Sequence, residues 1–200
     1  MPPRADNLVA VEHRITAGQR LRRNKHAGAV LWFTGLPGSG KSTLALGLEQ
    51  RLFDLGAQVY SLDGDNIRRG LNSDLGFSAN DRHENMRRVG ETAALFADAG
   101  LIVITAFISP YRQDRAIARA AAGTAFHEIH IKASLEVCER RDPKGHYAQA
   151  RAGKLADFTG VSAPYEAPDD PALVIETDKL SIDESLTRLV DFARDRLLTV

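Results

Sequence analysis

The 200-residue chain has a single cysteine, Cys138, which excludes an intramolecular disulfide and a cysteine-rich zinc module. It also lacks an excess of charge of either sign. Its 26 basic and 26 acidic side chains give a formal net charge of zero. That excludes a protein that coats nucleic acid through bulk positive charge. Long apolar runs are missing too. The longest, over residues 101–108, is far short of the ~20 residues a membrane span needs, so no membrane partner is expected. No apolar stretch follows Met1-Pro2-Pro3-Arg4, so no secretory leader is expected and the cytoplasm is the expected location. Internal repeats and low-complexity tracts are absent. What is present is a 44% hydrophobic composition with mixed charge, which argues against disorder. At this length a chain can bury roughly 70% of its unfolded surface without staples.

Strand-like and helix-like patterns alternate along the chain. Residues 29–34 form an apolar, β-branched and aromatic run between Gly28 and Gly35, a buried strand. Residues 41–55 carry Leu44, Leu46, Leu48 and Leu52 in a helical pattern ended by Gly56. A second strand is expected over 59–63 and a short helix over 65–72. Ser78 with Asp81 opens a long helix with a start like a capping box, Asp replacing the usual Glu or Gln. Gly100 ends it. Residues 101–106 are continuously apolar, so that strand is central and covered on both faces. Further strands are read at 126–131 and 173–176. Ser181 with Glu184 caps a last helix running to about residue 198. Strands separated by helices imply an α/β fold: a parallel sheet of about five strands with helices on both faces. Residues 1–28 read as an N-terminal extension of helical character, and residues 29–200 as the main domain. Residues 141–171 break the alternation and are rich in Gly, Pro, Lys and Arg; a long segment of this kind in a compact domain is a functional lid or a disordered insert, and a lid is expected over about 141–165.

The sharpest motif is Gly35-Leu36-Pro37-Gly38-Ser39-Gly40-Lys41-Ser42-Thr43, a phosphate loop with a strand before it and a helix after it. Glycines let successive backbone N–H groups face one anion, and the helix adds its positive end. Lys41 reaches the β- and γ-phosphates of a nucleoside triphosphate and Ser42 ligates Mg²⁺. The fold class is therefore that of a P-loop NTPase. A dinucleotide fingerprint fits poorly, because its third glycine falls on Thr43. A guanine-reading Asn-Lys-x-Asp does not follow the loop; Asn24-Lys25 precedes it.

A second constellation follows. Asp63-Gly64-Asp65-Asn66-Ile67-Arg68 stands at the carboxyl end of the second strand, where acids face the ligand crevice. Asp63 either joins the Mg²⁺ site, accepts a hydroxyl proton, or simply caps the next helix. Arg82 and Asn85, three apart on a helix, share one face and suit a polar anionic ligand. Phe107-Ile108-Ser109-Pro110 follows the central strand. The short segment 139–154 carries five basic and two acidic groups, whereas 155–200 carries four and ten. His127 and His130 lie on opposite sides of one strand, Cys138 reads as an apolar filler, and Trp32 as core.

Taken together, the phosphate loop, Leu62-Asp63-Gly64-Asp65-Asn66-Ile67-Arg68, Asp74-Leu75-Gly76-Phe77-Ser78, Glu84-Asn85-Met86-Arg87-Arg88, Phe107-Ile108-Ser109-Pro110, Arg141-Asp142-Pro143-Lys144-Gly145, Phe158-Thr159-Gly160 and Pro164-Tyr165-Glu166 resemble the adenylyl-sulfate kinase family, in order over about residues 29–178. The resemblance implies transfer of the γ-phosphoryl group of ATP to the 3′-hydroxyl of adenosine 5′-phosphosulfate with Mg²⁺. It implies that Asp65, Arg68, Phe77, Arg82, Asn85, Ile108, Ser109, Lys144 and Phe158 contact the sulfate nucleotide, with Phe77 and Phe158 sandwiching its adenine. It implies that Arg141 stacks near the ATP base. Lys41, Asp63 and Ser109 are the catalytic candidates, and Ser42 and Asp63 the metal candidates. For Ser109, substrate positioning is expected ahead of a phosphoserine intermediate, because in-line transfer between two bound nucleotides needs none. A homodimer and a functional link to ATP sulfurylase are also implied. Two departures stand out. Val9-Ala10-Val11-Glu12-His13 replaces a Trp-His pair common near the family's N-terminus, and Asp157 stands where Gly or Asn is usual.

Overall fold

The computed structural model describes residue 9 and residues 11–198. Five parallel strands form one sheet: β1 (Ala29–Thr34), β2 (Val59–Asp63), β3 (Ile102–Ala106), β4 (Phe126–Lys132) and β5 (Leu173–Glu176), in the order β2-β3-β1-β4-β5. The expected α/β architecture is therefore observed, with the continuously apolar strands β1 and β3 lying side by side inside the sheet. Every residue of β1 and of β3 is buried.

Side-chain alternation along β1 divides the core in two. Ala29, Leu31 and Phe33 face helices α2 (Lys41–Asp54) and α8 (Ile182–Leu197), packing on Leu44, Leu48, Leu52, Leu189 and Ala193. Val30 and Trp32 face the opposite side, under α4 (Ala79–Asp98) and α5 (Arg112–Ala122), with Met86, Val89, Ala93 and Ala118. Of the four leucines read into α2, Leu46 points outward and is 59% exposed. His127 packs on Phe192 and His130 on Tyr165, on the two sides of the sheet that alternation assigns them.

The helix starts explain themselves locally. Ser181 and Glu184 form a reciprocal capping box on α8. Ser78 accepts the Asp81 N–H at 3.2 Å, but the shorter Asp side chain takes the Ser78 hydroxyl (2.8 Å) instead of reaching back to the backbone N–H. Asp63 caps α3 (Gly64–Arg69) by accepting the Asp65 N–H. Helix α5 fills the stretch after Phe107-Ile108-Ser109-Pro110, for which no element is read above. Within the segment read as a lid, α6 (Leu135–Arg141) gives way to the short α7 (His146–Arg151), whose first N–H groups are accepted by the Asp142 carboxylate. Ala133, Cys138, Tyr147, Ala150 and Phe158 form a small core of their own there. In the N-terminal extension, α1 (Ala17–Asn24) is tied to the turn after α4 by Arg20 and Asn24, which donate to the carbonyls of Ala99 and Gly100. Of the stretch 9–13, Ala10 lies outside the described residues, and Val9 and Val11 are exposed.

Candidate active site

The carboxyl ends of β1, β2 and β3 open into one cleft of about 980 Å³. The phosphate loop forms its floor. Gly38 adopts φ 75°, and a Cβ there would lie 2.9 Å from the Cys138 carbonyl oxygen, so only glycine fits that turn. The loop's carbonyls are engaged by side chains around it. Tyr147 donates to the Pro37 carbonyl (2.9 Å), Arg141 to that of Gly38 (3.4 Å), and Thr177 to that of Ser39 (2.8 Å). The Lys41 ammonium turns back onto the carbonyls of Gly35 (2.9 Å) and Leu36 (2.7 Å). With its acceptors taken, the loop has N–H groups left to offer an anion. Burial lowers the Lys41 pKa to about 8, partly offset by Cys138 and Asp63.

Asp63 does two things at once. One oxygen caps α3, and the other accepts the Ser42 hydroxyl at 2.9 Å. A hydroxyl and a carboxylate meeting at the mouth of a phosphate loop are hard oxygen donors, which suits Mg²⁺.

The opposite wall carries the residues expected to take the acceptor. Asp65, Phe77, Arg82, Asn85, Ile108, Ser109, Lys144 and Phe158 all line the cleft. Phe77 is 70% exposed, whereas Phe158 is buried, with the Tyr147 ring edge-on at 5.0 Å. The Lys144 ammonium pairs with the Asp65 carboxylate at 2.5 Å, joining the turn between α6 and α7 to α3 and holding the Asp65 carboxyl below its ordinary value. Arg82 donates to the carbonyls of Phe77 (2.9 Å) and Asp157 (3.0 Å), a second link from this wall to the segment after α7. Asp157 has φ 51°, a left-handed conformation that Gly and Asn adopt most readily and Asp tolerates. Arg68 is absent from the lining. Its guanidinium lies 4.5 Å from the Phe77 ring centroid and donates to the carbonyls of Leu75 and Gly76, so in this structure it supports the Phe77 turn.

Ser109 is the most constrained residue of the site. Its backbone is left-handed, φ 39°, although it is not glycine. Thr34 and Arg115 donate to its carbonyl, and the Trp32 indole donates to its hydroxyl at 3.1 Å. Arg115 is itself buried and also bonds Glu128 (2.5 Å) and the Glu166 carbonyl (2.7 Å). Sequence reading missed Thr177, Tyr147, Arg115 and this use of Trp32. No motif signals them: Thr177, Tyr147 and Trp32 act on residues far away in the chain, and Arg115 ties the nearby Ser109 to the distant Glu166.

A phosphate loop between a buried parallel strand and a helix, facing a second polar wall across one cleft, defines a P-loop kinase. Comparison with known proteins resolves the family. Residues 27–176 match the family described as adenylylsulphate kinase. Two relatives, the adenylyl-sulfate kinases of Staphylococcus carnosus and Oceanobacillus iheyensis, are 48% and 51% identical over 194 residues, covering 96% of this chain and 98% of each of theirs. The solved structure of the Mycobacterium tuberculosis APS kinase CysC in complex with AMPPNP and APS superposes with a TM-score of 0.79 at 48% identity, over 83% of this chain and 97% of that one. The chain belongs to the adenylyl-sulfate kinase family and is an ATP-dependent kinase. Among the described residues, no helix is long and apolar enough to cross a membrane.

Proposed function

We propose that this chain transfers the γ-phosphoryl group of ATP to the 3′-hydroxyl of adenylyl sulfate, giving 3′-phosphoadenylyl sulfate and ADP. The observation that carries the reading is the single cleft of about 980 Å³, walled on one side by the phosphate loop and on the other by Phe77, Arg82, Asn85, Ser109, Lys144 and Phe158. That volume suits two nucleotides end to end. Family membership supplies the acceptor.

In this reading Gly35 to Thr43 wrap the ATP phosphates, and Arg141, already beside Thr177, flanks the base. Lys41 exchanges its carbonyl partners for phosphate oxygens. Ser42 and Asp63 would hold Mg²⁺, which when bound neutralises and orients those oxygens. Asp63 either serves that ion's water shell or accepts the 3′-hydroxyl proton. Phe77 and Phe158 take the acceptor's adenine between them; Asp65, Arg82, Asn85, Ile108 and Lys144 take its polar groups, and Arg68 holds the Phe77 turn or moves onto the ligand. Ser109 positions. Two polyanions held in line need little covalent help, so orientation and charge dominate the barrier. Closure of the lid over 141–165 keeps water from the γ-phosphate. A homodimer, a working link to ATP sulfurylase and a cytoplasmic location belong to the same proposal and rest on the family alone.

The test is ADP release with ATP and Mg²⁺, with and without adenylyl sulfate. Acceptor-dependent ADP that disappears with a chelator is the expected result. ADP formed with gluconate, shikimate or AMP instead would replace the reading with another small-molecule kinase, and no acceptor-dependent ADP at all would overturn it.

A further inference from the structure

Asn72 has no place in the chemistry above and does not line the cleft, yet it is completely buried. It sits in the turn between α3 and Phe77, where its backbone N–H bonds the Ile67 carbonyl and its carbonyl accepts from Leu75. Its side-chain amide donates to the Asn85 Oδ1 at 2.8 Å. Asn85 is 2% exposed but forms part of the cleft wall. A carboxamide has one accepting and one donating end. With its oxygen committed to Asn72, Asn85 has its NH₂ left for the cleft. The reverse pairing would make Asn85 the donor and leave the Asn72 NH₂ buried without an acceptor. In the arrangement observed the unpaired atom is the Asn72 Oδ1, buried without a partner among the described residues. A buried polar atom left unsatisfied is destabilising and rare enough to call for a reason.

We propose that Asn72 is a positioning residue that fixes the Asn85 amide with its donor toward the acceptor nucleotide, so that the site selects a hydrogen-bond acceptor on that ligand. The unpaired oxygen is the cost of that orientation. This inference rests on the reading of Asn85 as an acceptor-site residue. The turn holding Asn72 is itself braced, because Arg88 binds the Asp74 carboxylate at 2.7 and 2.9 Å and reaches the Leu71 carbonyl. Loss of the Asn72 side chain therefore leaves the turn anchored and acts chiefly on the amide.

The experiment measures KM for adenylyl sulfate and for ATP separately in Asn72→Leu, Asn72→Asp, Asn85→Ala and the double variant Asn72→Leu/Asn85→Ala. Leucine has nearly the shape of asparagine and cannot orient an amide. Aspartate has the same shape and, measured at a pH high enough to ionise a buried carboxyl, can only accept, so it turns the Asn85 amide round. Each single variant is expected to raise KM for adenylyl sulfate about three- to tenfold, the range of one lost hydrogen bond, with KM for ATP within about twofold of the parent. In the Asn85→Ala background the Asn72→Leu change is expected to add nothing. An unchanged KM for adenylyl sulfate in a folded Asn72 variant, an equal rise in both KM values, or additive effects in the double variant would each overturn the proposal. If the leucine variant does not fold, the aspartate variant alone and on the Asn85→Ala background decides the matter by the same criteria. An Asn85→Ala enzyme with unaltered KM for adenylyl sulfate would remove the acceptor-site reading itself. Loss of affinity in Asn85→Ala but not in the Asn72 variants would remove only the part assigned to Asn72.

Discussion

Lys41 sits inside its own loop, bonded to the carbonyls of Gly35 and Leu36, with its pKa pulled down to about 8 by burial. Its ordinary value is 10.5. A lysine depressed by folding costs stability while it is charged in both states, below pH 8. That cost fades as pH rises from about 8 towards 10.5, so this one group makes the empty protein more stable with rising pH. Phosphate reverses the direction, because a polyanion beside the amine favours the ammonium. ATP binding at pH 8.5 should therefore take up a fraction of a proton, and ATP affinity should weaken as pH climbs past 8. Calorimetry in two buffers of different ionisation enthalpy measures the uptake; identical heats in both buffers would contradict it. At Ser109 the hydroxyl accepts from Trp32, and among the described residues no carboxylate or histidine is hydrogen-bonded to it. A serine nucleophile needs a base for its proton. Ser109→Ala is accordingly expected to keep its rate to within about tenfold in a single turnover at saturating substrates. A complete loss there would revive a phosphoserine intermediate. Because Trp32 is the sole tryptophan, its emission should also shift when that variant removes the indole's acceptor.

At the scale of elements, what could be read in advance was what a short window contains. The bounds of β1 follow directly from an apolar run between Gly28 and Gly35, those of β2 and β5 match the expected 59–63 and 173–176, and the reciprocal box at Ser181 and Glu184 marks α8. Helix α5 escaped because its buried residues are Ala118 and the charged Asp114 and Arg115, which do not make an apolar stripe. Its reason for packing is on another helix. A Cβ built on Gly90 of α4 would stand 2.8 Å from the Ala118 Cα, so the two helices approach as closely as glycine permits. The same distance in sequence hid the partners of the site. Arg68 was placed on the ligand by resemblance, but its cation–aromatic contact with Phe77 exists only once the turn 70–76 has folded. A Gly90→Ala substitution would force α4 and α5 apart. It should destabilise by about 1–3 kcal/mol despite alanine's better helix propensity. Thermal unfolding checks this, and an unchanged or raised Tm would show that the helices can yield without strain. His83 and Asp114, bonded at 2.7 Å across the same helix pair, would feel the shift.

For the whole molecule, a net charge of zero conceals a division. The cations Lys41, Arg82, Arg141 and Lys144 line the cleft beside the acids Asp63, Asp65, Asp114, Asp142 and Asp157, so its field is set by where each group faces, while along the sequence the acidic excess lies in residues 155–200. With no net charge to draw an anion in, attraction must come from how the charges are distributed around the cleft, and that field decays over about 10 Å at 0.1 M salt. Part of that field is spent internally, because Lys144 is paired with Asp65 across the cleft mouth in the structure. Added salt screens the cleft for an incoming polyanion and loosens this exposed pair as well. The first effect slows capture and the second eases opening, so they oppose each other, but only capture scales with the charge of the substrate. Capture should win. kcat/KM for both nucleotides is expected to fall several-fold between 20 and 300 mM salt, with kcat nearly constant. Asp157→Asn removes one negative charge from the cleft wall and should raise kcat/KM for adenylyl sulfate at low salt, up to about threefold, with the gain vanishing at 300 mM. Steady-state kinetics across the salt series separate the cases. A flat kcat/KM would place recognition in short-range contacts alone, and an equal gain from Asp157→Asn at every salt concentration would trace it to the backbone geometry at φ 51°.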